Sequence, residues 1–198
     1  YTITGTSAAG CVNTGTTTVT VNPLPTVTCP DISICPGGTG TLTATGASTY
    51  TWGPATGLSA TSGNPIAASP GATTVYTVTE TSAAGCVNNT TVTVTVNSSA
   101  VVTVPDAAIC NGSSTLLTAS GATTYTWSPG TGLSSPTGVS VTANPTATIT
   151  YTITGTTAAG CTGTTTSTVT VNPLPTITCA PATICNGLST TLTASGAS

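Results

Sequence analysis

Outside its hydroxyl groups, this chain carries few side chains able to do chemistry. There are eight cysteines, at 11, 29, 35, 86, 110, 161, 179 and 185, and three carboxylates, Asp31, Glu80 and Asp106. Lys, Arg and His are absent from all 198 residues. General acid–base catalysis needs a group that exchanges a proton near working pH, usually His, Lys or a paired carboxylate. The three acids are scattered along the sequence, and a Ser or Cys nucleophile would find no base to activate it. Zinc sites draw on His and on closely spaced Cys pairs, calcium sites on clustered carboxylates, and neither pattern occurs. The expectation is a non-enzyme with no catalytic residue, metal site or cofactor.

The missing cations also bear on partners. Phosphate backbones and anionic membrane surfaces are held by Lys and Arg, so neither nucleic acid nor an anionic bilayer is expected as a partner. No run of about 18 apolar residues is present, so no membrane insertion is expected in this segment. The first residues lack a charged stretch followed by an apolar one, so no signal peptide is read there. The sequence opens in the middle of a repeat and is expected to be a window from something longer. Eight cysteines in such a chain favour an oxidising compartment, hence an extracellular location.

A repeat of 75 residues organises the sequence. Tyr1, Tyr76 and Tyr151 open the segments YTITGTSAAGC, YTVTETSAAGC and YTITGTTAAGC. The motif TYTW recurs at Thr49–Trp52 and Thr124–Trp127. The pieces are the end of one repeat (1–21), two full repeats (22–96 and 97–171) and the start of a fourth (172–198). VNPLPT stands at the junctions beginning at Val21 and Val171, whereas the middle junction reads VNSSAV. Residues 1–48 match 151–198 at 33 of 48 positions, which nests the repeat in a super-repeat of 150. Proline stiffens alternate junctions and the serine pair leaves the others looser.

Each repeat reads as short strands between turn signals, which predicts an all-β fold of tandem immunoglobulin-like β-sandwich domains. In the first full repeat, strands are predicted at 26–35, 41–45, 49–52, 66–69, 74–81 and 90–96. The chain holds 55 Thr, a β-branched residue suited to a half-buried pleated face. Period two puts Tyr76 and Val78 inward, with Val92, Val94 and Val96 facing them from the last strand. Trp52, Trp127, Tyr76 and Tyr151 are the expected core aromatics. A domain of this size sits where added staples become useful, which gives the cysteines a structural role.

Two cysteines recur in every repeat, one before the second strand (Cys35, Cys110) and one after the turn that follows the YT(V/I)T strand (Cys86, Cys161). Pairing within the repeat, Cys35–Cys86 and Cys110–Cys161, is the favoured reading; each bond would close a loop of roughly 50 residues and contribute on the order of 3–4 kcal/mol. An immunoglobulin-like topology puts these positions at opposite ends of the sandwich, so Cys35–Cys161, joining neighbouring repeats, is the alternative. Cys29 and Cys179 occur only in repeats preceded by NPLP and are candidates for an extra cross-link.

The run from Ile34-Cys35 through LTATGASTYTWGP, then TGLS, YTVTETSAAGC and TVTVN, resembles the Ig-like and PKD-like repeats of very large cell-surface proteins of Bacteroidota, among them the gliding-motility adhesins of the SprB type. The resemblance covers essentially the whole chain. It implies export by the type IX secretion system, display at the cell surface and an adhesive or filamentous role, and it supplies no catalytic residue. The function expected from sequence is therefore a structural and adhesive segment of a long extracellular repeat protein, forming a stalk or surface filament. An array of glycan- or surface-binding modules is the alternative. Other copies of the chain, through lateral or end-to-end contacts, and surface glycans are the expected partners.

Overall fold

A computed structural model describes residues 1–196. The chain divides into two compact units, Tyr1–Asn97 and Ser98–Ser198, and the last two residues of the expected repeat 172–198 lie outside the described residues. Among the described residues every regular element is a strand, and both units are immunoglobulin-like β-sandwiches.

The first unit opens with a hairpin of β1 (Thr2–Thr6) and β2 (Val12–Thr16). Its sandwich follows, built from β3 (Ile32–Ile34), β4 (Gly40–Leu42), β5 (Thr49–Gly53), β6 (Ile66–Ala68), β7 (Thr74–Thr81) and β8 (Val87–Val96). One sheet has the order β3-β8-β7-β5 and the other pairs β4 with β6. The second unit repeats this with β9 (Ala107–Cys110), β10 (Thr115–Thr118), β11 (Thr124–Ser128), β12 (Ser140–Ala143), β13 (Ile149–Thr156) and β14 (Thr162–Asn172). Its sheets are β9-β14-β13-β11 and β10-β12, and a short pair, β15 (Thr178–Cys179) with β16 (Ala194–Ser195), follows.

The strand predicted over 26–35 is split. Thr28 forms an isolated bridge with Thr45, three residues past β4, and Ile32–Ile34 then runs parallel to β8 on the large sheet. Pro30 lies at the crossover and has no N–H to give to a ladder. Beside it, the Asp31 carboxylate accepts the Thr93 amide at 2.7 Å and takes the place of a backbone partner. Pro105 and Asp106 do the same in the second unit, where Asp106 accepts from Thr168 at 2.7 Å.

Alternation along β7 and β8 sends apolar side chains inward and hydroxyls outward. Tyr76, Val78, Val92 and Val94 are buried against Leu42, Trp52 and Ile66. Tyr151, Ile153 and Val169 meet Leu117, Trp127 and Val141 in the second unit. The outer face of the second unit's large sheet carries threonine in cross-strand rows, as in Thr126, Thr154 and Thr164. The buried aromatics are anchored by hydrogen bonds. The indole N–H groups of Trp52 and Trp127 donate to the carbonyls of Gly63 and Gly138 at 2.8 and 2.9 Å. The Tyr76 and Tyr151 hydroxyls donate to Thr56 and Thr131 at 2.7 and 2.8 Å. Neither indole is left open to stack on a sugar.

Candidate functional site

The last long strand of each sandwich, β8 or β14, sets where the cysteines lie. It runs the length of the domain, with a cysteine of one series before it and the outgoing chain after it. At its beginning, the Asn88 side chain donates to the Pro25 carbonyl at 2.9 Å, so the incoming chain meets the unit at this end. Cys86 immediately precedes Val87 and lies at the same upstream end. At the far end, Ile34 is level with Val96 and its carbonyl accepts the Asn97 amide at 2.9 Å. Cys35 is therefore at the downstream end, where the chain leaves. In the second unit, Cys161 precedes Thr162 upstream, and Cys110 is level with Asn172 downstream.

This register overturns the favoured pairing. From Val87 to Val96 is nine steps of about 3.3 Å, so Cys35 and Cys86 stand about 30 Å apart. A disulfide needs Cα atoms within about 7 Å. The same separation holds between Cys110 and Cys161. Neither Cys35–Cys86 nor Cys110–Cys161 is formed: Cys86 and Cys110 are free thiols, whereas Cys35 and Cys161 are disulfide-bonded. Cys161 is buried. Cys11 and Cys185 are free and exposed.

Cys29 and Cys179 are also free. Cys179 is exposed, but Cys29 is half-buried, and burial, with the Asp31 and Glu80 carboxylates adding to it, raises its thiol pKa despite a backbone hydrogen bond from Thr43. A raised pKa leaves less thiolate and a less reactive sulfur.

Glu80 is a feature the sequence reading missed. It follows Tyr76 and Val78 at period two and is fully buried, with no hydrogen-bond partner for either carboxylate oxygen. The inward period was its only sequence signal. The corresponding residue of the second unit is Gly155. Opposite these two stand Asn88 and Gly163. In the second unit the incoming chain fills the space the missing side chains leave. A Cβ placed on Gly163 would lie 1.9 Å from the Ala100 oxygen, and one on Gly155 would lie 2.5 Å from the Val102 side chain.

Burial raises the Glu80 pKa by desolvating its charged form. With the folded value above the unfolded one, its stabilising contribution is complete below about pH 4.3 and is lost as pH rises through the folded value. Glu80→Gln is expected to remove this decline. Thermal unfolding of wild type and variant between pH 4 and 7 checks it: the gap between the two should widen in favour of the variant toward pH 7.

A cleft of about 410 Å³ runs along β5, lined by Ser48, Tyr50, Thr51, Ser62 and Asn64 among others. Hydroxyl and amide groups dominate its polar lining, and no carboxylate or cation enters it. Among the described residues no group of three or more His, Cys, Asp or Glu could hold a metal ion.

No protein-family model matches the chain, and no curated protein does. Solved structures with similar strand arrangement include titin domains I67–I69 in a Glu-to-Ala variant, at 12% identity and TM-score 0.44, covering 77% of this chain and 66% of that one. The I67–I69 I-band fragment of titin matches at 15% identity and TM-score 0.45, over 79% of this chain and 68% of that one. A Ca²⁺-stabilized adhesin, described as helping an Antarctic bacterium reach out and bind ice, matches at 20% identity and TM-score 0.43, over 90% of this chain and 58% of that one. The chain thus spans 66% of the length of the first of these and 58% of the adhesin.

Proposed function

We propose that this chain is a load-bearing segment of a long extracellular repeat protein, a stalk or surface filament whose neighbouring domains are joined by disulfides. The observation that carries it is the position of the two chain ends in each sandwich. The chain arrives at one end of β8 or β14 and departs at the other, so each repeat advances it by about 30 Å, the length of a strand of nine to ten residues. Neighbour-only arrays of this kind extend without limit on repeat number. The resemblance of the repeat motif to gliding-motility adhesins of Bacteroidota supports surface display and type IX export as the setting. Electron microscopy of the chain tests the mechanical part: rods that lengthen by about 30 Å with each added repeat are expected, and compact particles of constant length would overturn it.

The pairing we propose is Cys35 with Cys161. Asn97 is hydrogen-bonded beside Cys35, and Ala100 lies against Gly163, two residues beyond Cys161. Only three peptide steps separate Asn97 from Ala100, at most about 11 Å of chain. Six of the eight cysteines are free thiols, and Cys35 and Cys161 are the two that are disulfide-bonded. A non-reducing digest is expected to yield one cross-linked pair of peptides carrying Cys35 and Cys161. Chymotrypsin is the enzyme to use, since trypsin finds no Lys or Arg. A Cys35–Cys86 peptide pair would refute the assignment.

A further inference from the structure

We infer that the bridge turns this array into a tether that cannot lengthen by unfolding, an inference that rests on the Cys35–Cys161 pairing just proposed. A force applied to the two ends of the chain travels from Tyr1 to Cys35, crosses the sulfur–sulfur bond, and continues from Cys161. The intervening 125 residues (161 − 35 − 1) lie in a closed loop outside the load path. That loop contains β4 to β8 and β9 to β13, including both tryptophans. Either sandwich can therefore lose its fold without adding contour length between the points of load.

The periodicity extends the argument. Cys11, Cys86 and Cys161 form one series at 75-residue spacing, and Cys35, Cys110 and Cys185 form the other. From each upstream cysteine to the downstream cysteine of the next repeat is 24 residues (35 − 11, 110 − 86, 185 − 161). With the same bond at successive junctions, the shortest covalent path through two repeats is one such segment and one disulfide. Twenty-four residues reach at most about 80 Å when fully extended. Without bridges, each unfolding repeat would release up to about 250 Å of chain.

Each bond forms as two thiols surrender two protons and two electrons to a disulfide-class oxidant, which is itself reduced to a pair of thiols. In a longer array with the same bond at each junction, the thiols of Cys86 and Cys110, free in this chain, pair with the neighbouring repeats.

Single-molecule pulling on the 198-residue chain, held at its two ends, tests the inference. Oxidised protein is expected to show no release of the 125-residue loop. Addition of a dithiol reductant, or the substitution Cys35→Ser in its absence, is expected to restore two unfolding steps of roughly 200 Å or more. Cys86→Ser is expected to behave as oxidised wild type. Full-length steps from oxidised protein whose chymotryptic map contains the Cys35–Cys161 peptide would overturn the inference and leave the pairing standing. A map without that peptide would overturn both.

Discussion

Gly121→Ala is expected to abolish the cooperative unfolding transition of the second unit, whereas Gly112→Ala lowers its midpoint without destroying it. Both glycines have positive φ, +95° and +85°. A side chain in the left-handed region costs of order 1–3 kcal/mol, and the two variants share that penalty. They differ in what surrounds them. A Cβ on Gly112 meets nothing within 4 Å, but on Gly121 it would stand 1.8 Å from the Val101 carbonyl oxygen. That carbonyl belongs to the chain entering the domain, which would have to be displaced. The position recurs as Gly46 against Thr26 and Gly196 against Thr176, each at 1.9 Å, so the close approach is part of the repeat's design. For a domain of this size, losses beyond about 4 kcal/mol approach its total stability. Circular dichroism during heating separates the outcomes: the Gly121 variant should lose about half of the cooperative amplitude, and retention of both transitions would contradict the account.

Trp127→Ala is the second large effect. The indole is buried beside Tyr151 and Val141, and its N–H is bonded to Gly138. Removing it leaves a cavity and an orphaned carbonyl, for a loss of about 3–5 kcal/mol. Each unit holds a single tryptophan, so the variant keeps Trp52 as a reporter of the first unit alone. Its fluorescence transition should stay near the wild-type midpoint of that unit while the second unit melts well below its own. Trp52→Ala should give the mirror result.

Much of the sandwich was legible from alternation. The strand predicted over 74–81 is β7, and the inward positions of Tyr76, Val78, Val92 and Val94 follow from period two. Local patterning did not reveal the break at Pro30, because the sequence flanking it reads as strand on both sides and only the change of pairing partner explains the interruption. Nor did it reveal the partner of Thr93, since a side-chain carboxylate that replaces a ladder bond leaves no periodic trace. The cysteines were visible as two series, but their pairing depends on register. Parallel alignment of β3 with the end of β8 carries Cys35 about 30 Å from Cys86. Spacing along the chain contains no such information, whereas the topological objection drawn from the immunoglobulin-like order pointed the right way.

The unlike residue pairs facing each other in the two sandwiches, Glu80 with Asn88 and Gly155 with Gly163, bear on how adjacent, nearly identical domains avoid exchanging parts. Misassembly between neighbours is the characteristic failure of tandem arrays, and it grows easier as the repeats grow more alike. The segment that enters the second unit follows a course that two glycines leave open, with the Ala100 carbonyl against Gly163 and Val102 against Gly155. Laid on the first unit, that course would collide with the side chains of Glu80 and Asn88. The reverse exchange would leave the Pro25 carbonyl without its amide donor and an unfilled space over Gly155. A buried carboxylate that weakens one domain thus also distinguishes it, because the entering segment of one unit does not fit the other.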